Sequence, residues 1–264
     1  MTIITLLTDF GLQDGYPGIM KGVIFGIAPH VDITDITHFV SPQNVREGAL
    51  AVGRSYRYFP AGTIHVAVVD PGVGTHRRPI AFRAGNHTFV GPDNGLFSLV
   101  IEEARVNGWP LEIVVLDNPT YWLPNPSNVF HGRDIFAPVA AWLAAGVALH
   151  DLGAKINDPV ILDLPRPVVS ENEIAGEVIA IDHFGNLSTN IEDGLWSDWG
   201  SVEVLVAGKV ISGLVKTFGE RPVGDLVALF GTDHDLSISI VNGNALEQLN
   251  AGLGTKVIIR RKAI

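Results

Sequence analysis

Residues 63–78 have the sequence TIHVAVVDPGVGTHRR, and this stretch decides the fold class. Residues 63–69 form a run of apolar and β-branched residues that predicts a buried strand. Polar groups follow directly: Asp70, a Pro-Gly turn, and the arginines Arg77 and Arg78. Ligands of open α/β sheets gather at the carboxyl ends of strands, so the stretch predicts an α/β fold with Asp70 at its ligand-binding edge.

Strand-like and helix-like segments alternate on the amino-terminal side of this stretch. A strand is predicted at 3–7, a helix at 16–27, a second strand at 31–36 and a second helix at 45–59. This rhythm indicates βαβ units and a largely parallel sheet.

Beyond the stretch, the pattern continues with shorter segments. Gly85-Asn86 joins two short apolar runs in a predicted hairpin, and helices are predicted at 96–105 and 134–145.

The alternating pattern of strands and helices is interrupted at residues 163–167, where two prolines disfavour both helix and interior strand. We place a domain boundary there, between an α/β domain at 1–164 and a smaller β domain at 165–264. Short strand candidates separated by Gly, Asp and Asn turns indicate a small antiparallel barrel or sandwich, of which we expect the barrel. These strand candidates lie at 174–181, 202–206, 210–212, 226–230, 236–240 and 256–259.

Composition narrows the class of protein. The net charge is −10 and only Arg260-Arg261-Lys262 is locally basic, which argues against a nucleic-acid partner. The chain has no cysteine, which excludes thiol chemistry and fits a reducing compartment. No apolar run is long enough to span a membrane and the first residues do not form a signal peptide, so we expect a cytoplasmic protein.

The sequence lacks the common metal-binding motifs and the nucleophile motif of serine hydrolases. The nine histidines show no HExxH or paired HxH spacing, and Thr232-Asp233-His234-Asp235 is only half of a metal loop. No GxSxG nucleophile elbow occurs either. We therefore expect neither a metal nor a cofactor.

Three polar clusters end strands or begin helices in the first domain. Asp9, in Thr8-Asp9-Phe10-Gly11, either accepts hydrogen bonds from a ribose diol or caps a turn. Asp70 and Arg77 either bind a ligand beside the glycine loop or form a surface ion pair. His131, in FHGRD, either handles a proton or is a hydrogen-bonded structural histidine. Each pattern alone leaves both possibilities open.

Two further clusters lie in the second domain. Asp182-His183-Phe184-Gly185-Asn186 follows a predicted strand and combines an acid, an aromatic ring and an amide. Gly243-Asn244-Ala245 forms a loop of small residues late in the chain. Either could be only a turn.

Taken together and in this order, TDFG, VVDPGVGTxRR, FHGRDIFAP, IDHFGN and GNA resemble the S-adenosyl-L-methionine hydrolases of the hydroxide adenosyltransferase (DUF62) family. The resemblance covers essentially the whole chain. It implies an amino-terminal α/β domain, a smaller β domain, and a homotrimer with active sites between subunits. It further implies cleavage of S-adenosyl-L-methionine by water to give adenosine and methionine.

The same resemblance assigns roles to residues. It matches the family's catalytic Asp, Arg and His to Asp70, Arg77 and His131, with Arg78 as the neighbouring alternative for the arginine. Which of Asp70 and His131 accepts the proton of water stays open. The implied substrate-binding residues are Asp9 for the ribose, Asp182, Phe184 and Asn186 for the methionine, and Asn244 and Ala245 for the adenine.

Two other functions are compatible with the same motifs. A halogenase of this superfamily has Tyr and Ser where this chain has His131 and Gly132, which disfavours a halide as nucleophile. A sensor that binds adenosine or S-adenosylmethionine needs Asp9 and Asp182 but has no use for Asp70, Arg77 and His131 together.

Overall fold

The computed structural model describes residues 2–196 and 199–262. The chain forms two compact units, Met1–Leu162 and Asp163–Ile264. Each has its own sheet and its own apolar core.

The first unit alternates strands and helices along the chain. Its elements are β1 (Ile3–Thr8), α1 (Tyr16–Ile27), β2 (Asp32–Thr37), α2 (Val45–Ser55), β3 (Ile64–Val68), β4 (Pro79–Ala84), β5 (His87–Pro92), α3 (Ser98–Val106), β6 (Leu111–Val115), α4 (Ala137–Ala144) and β7 (Lys155–Ile156).

Among the described residues, these strands form one seven-stranded sheet in the order β2-β1-β3-β5-β4-β6-β7. The pairs β2-β1, β1-β3 and β3-β5 are parallel, whereas β5-β4, β4-β6 and β6-β7 are antiparallel. The predicted α/β class is confirmed, and the sheet is mixed because the predicted hairpin β4-β5 turns the chain back inside it. In the parallel half, Thr8 pairs with Val68, so the segments that follow β1 and β3 emerge side by side.

Apolar side chains cover both faces of this sheet. Along β3, Val66 and Val68 belong to one core cluster, and Ala67 belongs to the other. Helices α1 and α4 pack together on the first face, and α2 and α3 pack together on the second. The period-two alternation of a buried strand therefore produces a three-layer α/β/α unit.

The second unit consists mainly of strands. Its elements are β8 (Val168–Val169), β9 (Glu173–Ile181), β10 (Leu187–Glu192), β11 (Val202–Val206), β12 (Lys209–Ser212), β13 (Leu226–Phe230), β14 (Asp235–Ile240), α5 (Ala245–Leu249) and β15 (Lys256–Arg261).

Within the described ranges, eight antiparallel strands form a nearly closed, barrel-like sheet with the path β12-β11-β15-β9-β10-β14-β13 and β8 paired to β9. The expected small antiparallel barrel is confirmed. Strand β10, an interior strand between β9 and β14, was not predicted because Ser188 and Asn190 make the segment look like a polar loop. Leu187, Thr189 and Ile191 nevertheless alternate with them and are buried.

Within the described ranges, the helices are all too short or too polar to cross a lipid bilayer.

A buried histidine pair lies in the first unit between β1, β3 and β5. Nδ1 of His65 is 2.8 Å from Oγ1 of Thr5, and its Nε2 is 3.1 Å from Nδ1 of His87. The ring of Phe89 stacks on His65 at 5.0 Å between centroids. Burial, followed by the nearby His87, lowers the pKa of His65 to about 3, so both its nitrogens serve a neutral hydrogen-bond network.

This pair predicts acid sensitivity of the first unit. An unfolded histidine binds a proton near pH 6.5, whereas folded His65 does so only near pH 3. The free energy of unfolding therefore decreases as the pH falls between these two values. We expect a loss of about 2 kcal/mol between pH 7 and pH 5. Urea unfolding followed by circular dichroism measures it, and a His65→Gln variant should show a flatter dependence. An equally steep dependence in the variant would contradict this assignment.

Candidate active site

The segments that follow β1 and β3 meet at one cavity of about 500 Å³ in the first unit. Asp9 and Asp70 both line it, since their strands are parallel neighbours. A third segment, the loop before α4, contributes His131. Besides these, the lining includes Phe10, Tyr16, Gln43, Val73, Val129, Phe130 and Arg133.

Arg77 and Asp70 form a buried, forked ion pair. Nε of Arg77 donates to Oδ1 of Asp70 at 2.8 Å and to Oδ2 at 3.1 Å, and Nη2 also donates to Oδ2. The two side chains are only 9% and 5% exposed. The pair is shielded from water, so it is not the surface ion pair that the sequence alone left as an alternative.

The same guanidinium contacts His131. Nη2 of Arg77 lies 2.9 Å from Nδ1 of His131. Because a guanidinium only donates, Nδ1 must accept, which places the proton of the neutral imidazole on Nε2. Burial, followed by the positive charge of Arg77, lowers the pKa of His131, while Asp70 and Asp134 act in the opposite direction. The site therefore contains a neutral histidine whose tautomer is fixed by Arg77.

One donor of Arg77 remains. Nη1 is buried and has no hydrogen-bond partner among the described residues. The guanidinium carbon lies over the Phe136 ring, 5.3 Å from the ring centroid. Leaving a buried cationic nitrogen without a hydrogen-bond partner is costly.

A π-helical turn at Gly132–Phe136 fixes the position of His131. The turn leads directly into helix α4 at Ala137, and Asp134 is the acid of the first turn of this helical segment. The carboxylate of Asp134 accepts from the backbone N–H of Ser127 at 2.8 Å and from Arg133. π-Helical turns frequently occur at functional sites, and this one closes the loop that carries His131.

A glycine lets two of these loops approach each other. Gly74, in the DPGVG turn, has φ +74°, and a Cβ there would lie 2.2 Å from the carbonyl oxygen of Asn128. Asn128 precedes His131 by three residues. The glycine is therefore required both by the backbone angle and by the close contact that joins the two segments.

Asp9 is oriented by a different loop. Its Oδ2 accepts from the backbone N–H of Gln43 at 2.7 Å. The adjacent Thr8 side chain bonds Nδ1 of His38 at 2.9 Å and accepts from the backbone N–H of Phe10 at 3.1 Å. Gln43 and His38 were not predicted as site residues, because their contributions are a backbone group and a buried contact that no local motif reveals.

Arg78 points to a different set of partners. Its guanidinium donates to Asp93 and to both the side chain and the carbonyl of Asp158. The alternative of Arg78 as the arginine beside Asp70 is therefore excluded by geometry.

In the second unit, Asp182 organises a tight turn between β9 and β10. Its Oδ1 accepts from the backbone N–H groups of Phe184 at 2.9 Å and Asn186 at 2.8 Å, and its Oδ2 accepts from the Asn186 side chain at 2.7 Å. Phe184, at the tip, is 71% exposed. The turn therefore presents an aromatic ring beside a hydrogen-bonded carboxylate.

The second cluster of this unit lies against that turn. A Cβ on Gly185 would lie 2.0 Å from Oδ1 of Asn244, and the carbonyl of Gly185 accepts from the N–H of Leu246 at 3.0 Å. Asn244 also caps α5 by accepting from the N–H of Glu247 at 3.1 Å, while Ala245 is fully buried. The fold thus brings together two clusters that are about 60 residues apart in sequence.

Within the described residues, no group of three His, Asp or Glu side chains is arranged to hold a metal ion.

Two family models match the two units of the chain. The model for the SAM hydroxide adenosyltransferase N-terminal domain matches residues 4–153, and the model for the C-terminal domain matches residues 176–258. An (R)-S-adenosyl-L-methionine hydrolase of Salinispora arenicola is 38% identical over 93% of each chain.

A solved structure and a more distant relative extend this picture. The crystal structure of an uncharacterized conserved protein from Thermotoga maritima has a TM-score of 0.90 and 38% identity, and covers 98% of this chain and all of its own. A fluorinase of an Actinoplanes species is 32% identical over 72% of this chain and 71% of its own length. The relatives thus include both a hydrolase and a halogenase.

The contact at Gly74 can be tested directly. We expect Gly74→Ala to push the DPGVG turn away from the loop before His131. Arg77 should then no longer contact Nδ1 of His131, and the pKa of His131 should rise towards its usual value. An NMR titration of the imidazole measures this. Gly108→Ala is the matched control, because Gly108 has a similar φ of +64° but nothing within 4 Å of a Cβ. An unchanged His131 titration in Gly74→Ala would contradict the proposed role of the contact.

Proposed function

Because the chain belongs to the SAM hydroxide adenosyltransferase family, we propose that it hydrolyses (R)-S-adenosyl-L-methionine to adenosine and L-methionine. The observation that carries this proposal is the buried array in which Arg77 holds both Asp70 and His131 at the cavity. The configuration (R) is taken from the name of the relatives. That name already gives the amino-acid carbon as L, so (R) describes the sulfonium sulfur.

The chemistry of the substrate determines which catalytic groups the active site needs. When water attacks C5′ of the ribose, the C5′–S bond breaks and its electron pair converts the sulfonium to a neutral thioether. The leaving group therefore needs neither a proton nor a Lewis acid, and we propose that no cofactor takes part. The attacking water must be positioned and must lose a proton as the C–O bond forms.

The hydrogen bonds favour Asp70 as the acceptor of that proton. In His131, Nδ1 is occupied by Arg77 and Nε2 carries the proton, so neither nitrogen has a free lone pair in this arrangement. Among the described residues, Oδ1 of Asp70 accepts a hydrogen bond only from Nε of Arg77, and it keeps acceptor capacity. We assign Asp70 as general base, with the His131 Nε2–H as a donor to the attacking oxygen.

The other predicted residues then bind the substrate. Asp9, already oriented by the N–H of Gln43, is suited to accept hydrogen bonds from the ribose diol. The Asp182 turn, with the side chains of Phe184 and Asn186, is assigned to the methionine part. Asn244 and Ala245 are assigned to the adenine, following the family resemblance.

Product analysis tests the proposed reaction. The purified protein is incubated with each sulfonium epimer of S-adenosyl-L-methionine, with and without chloride, and products are separated by chromatography with mass detection. We expect adenosine and methionine from the (R) epimer without halide dependence. Asp70→Asn should lower kcat by about 10²- to 10⁴-fold because it removes the base.

Asp158→Asn is the matched control, since this exposed acid pairs with Arg78 and should leave turnover unchanged. A 5′-chlorinated nucleoside would identify a halogenase instead. Unchanged substrate would identify a binding protein, and either result would overturn the hydrolase assignment.

We also propose that the protein is a cytoplasmic homotrimer whose active sites lie between subunits. The trimer follows from the family resemblance, and the location is supported by a chain without cysteine, which fits a reducing compartment. In this arrangement the Asp182 turn that completes a site belongs to a neighbouring copy.

Co-expression of two inactive variants distinguishes shared sites from sites within one chain. When Asp70→Asn and Asp182→Ala subunits assemble at random, about three quarters of the trimers are mixed, and each mixed trimer has one intact shared site out of three. We therefore expect the co-expressed protein to have about one quarter of wild-type activity. The separately purified variants are the controls. No activity in the mixed trimers would contradict the shared site, and light scattering measures the oligomer directly.

A further inference from the structure

Three aromatic rings from separate segments form one wall of the cavity. Phe10 follows β1, Tyr16 begins α1 and Phe130 precedes His131, and all three line the cavity. Each ring meets the other two edge to face, with centroids 6.0 Å apart for Phe10 and Tyr16, 5.8 Å for Phe10 and Phe130, and 5.2 Å for Tyr16 and Phe130. We call Phe10, Tyr16 and Phe130 the aromatic wall.

Packing alone does not account for the aromatic wall. Tyr16 is 43% exposed, and Phe10 and Phe130 are only partly buried where they touch the core. All three side chains line the cavity, together with the carboxylates of Asp9 and Asp70 and with Arg133, whose charge Asp134 balances. Aromatic faces are electronegative, so this part of the cavity favours a cation over a neutral group.

One ring of the wall already holds a cation. The guanidinium of Arg133 lies over Phe130, 5.1 Å from the ring centroid. The charge of Arg133 is balanced by Asp134, to which it donates two hydrogen bonds of 2.6 and 2.9 Å. Phe130 therefore already contacts one cation, and the charge of that cation is neutralised by Asp134.

The sulfonium group of the proposed substrate has a particular need for such a surface. It carries a positive charge but has no N–H or O–H, so hydrogen bonds cannot recognise it. Proteins recognise the comparable quaternary ammonium groups with aromatic rings. We propose that the aromatic wall of Phe10, Tyr16 and Phe130 recognises the sulfonium charge and so discriminates the substrate from neutral thioethers, an inference that rests on the proposed function.

This role has a kinetic consequence. The sulfonium charge disappears as the C5′–S bond breaks, so its contact with the aromatic wall is stronger in the bound substrate than in the transition state. Weakening the wall should therefore raise KM without lowering kcat, whereas loss of a catalytic group lowers kcat.

Calorimetric titration with two unreactive ligands isolates the charge. S-adenosylhomocysteine has a neutral thioether at the position of the sulfonium, and sinefungin has a protonated amine nearby. We expect the wild-type protein to bind sinefungin more tightly. Phe130→Leu should weaken sinefungin about tenfold and leave S-adenosylhomocysteine nearly unchanged.

Two further variants separate charge from shape. Phe130→pentafluorophenylalanine retains a six-membered ring but reverses the charge distribution of its face, so it should weaken sinefungin as Phe130→Leu does. Phe25→Leu is the matched control, because Phe25 is a partly exposed aromatic residue on α1 that does not line the cavity. It should change neither affinity.

The outcomes are distinguishable from those of the proposed function. Equal loss of affinity for both ligands, or no preference in the wild type, would overturn the inference even if the wild type forms adenosine. A selective loss of sinefungin affinity would support it. If the wild type then failed to cleave S-adenosylmethionine, only the proposed hydrolysis would be overturned.

Discussion

The guanidinium of Arg77 is the interaction on which the candidate site depends. It lies buried between the carboxylate of Asp70 and the imidazole of His131, and it fixes the orientation of the first and the tautomer of the second. Without it, a buried carboxylate would lose its cation, a change that is strongly unfavourable in a site shielded from water. One arginine thus supplies both the electrostatic balance and the alignment of the two groups around it.

This interaction requires the particular fold of the first unit. Parallel pairing of β1 with β3 places the segments that carry Asp9 and Asp70 side by side at one edge of the sheet. The π-helical turn before α4 and the close approach of Gly74 to Asn128 then bring His131 to the same edge. Short loops on a rigid sheet can hold such a geometry because the buried strands beneath them leave little freedom to move.

The cavity combines groups that suit different parts of one ligand. Asp9 is oriented by a backbone N–H, Asp70 by a guanidinium, and the aromatic wall by mutual edge-to-face packing. Acids and aromatic faces together favour a ligand that carries a positive charge. The chain's excess of acidic residues is consistent with such a ligand but is spread too widely to identify it.

The α/β class, the antiparallel second unit and the family could be inferred before the structure, because hydrophobic periodicity and ordered motifs are local properties of a chain. The motifs around Asp9, Asp70 and His131 were also located in the sequence, whereas Gln43, His38 and Tyr16 were not. The folded chain was needed to show that Arg77 and not Arg78 reaches Asp70, that Asp134 anchors a π-helical turn, and that β10 is an interior strand. These depend on contacts between distant segments, since the direction of a side chain from a loop and the pairing of a polar strand are set by the partners that the fold supplies.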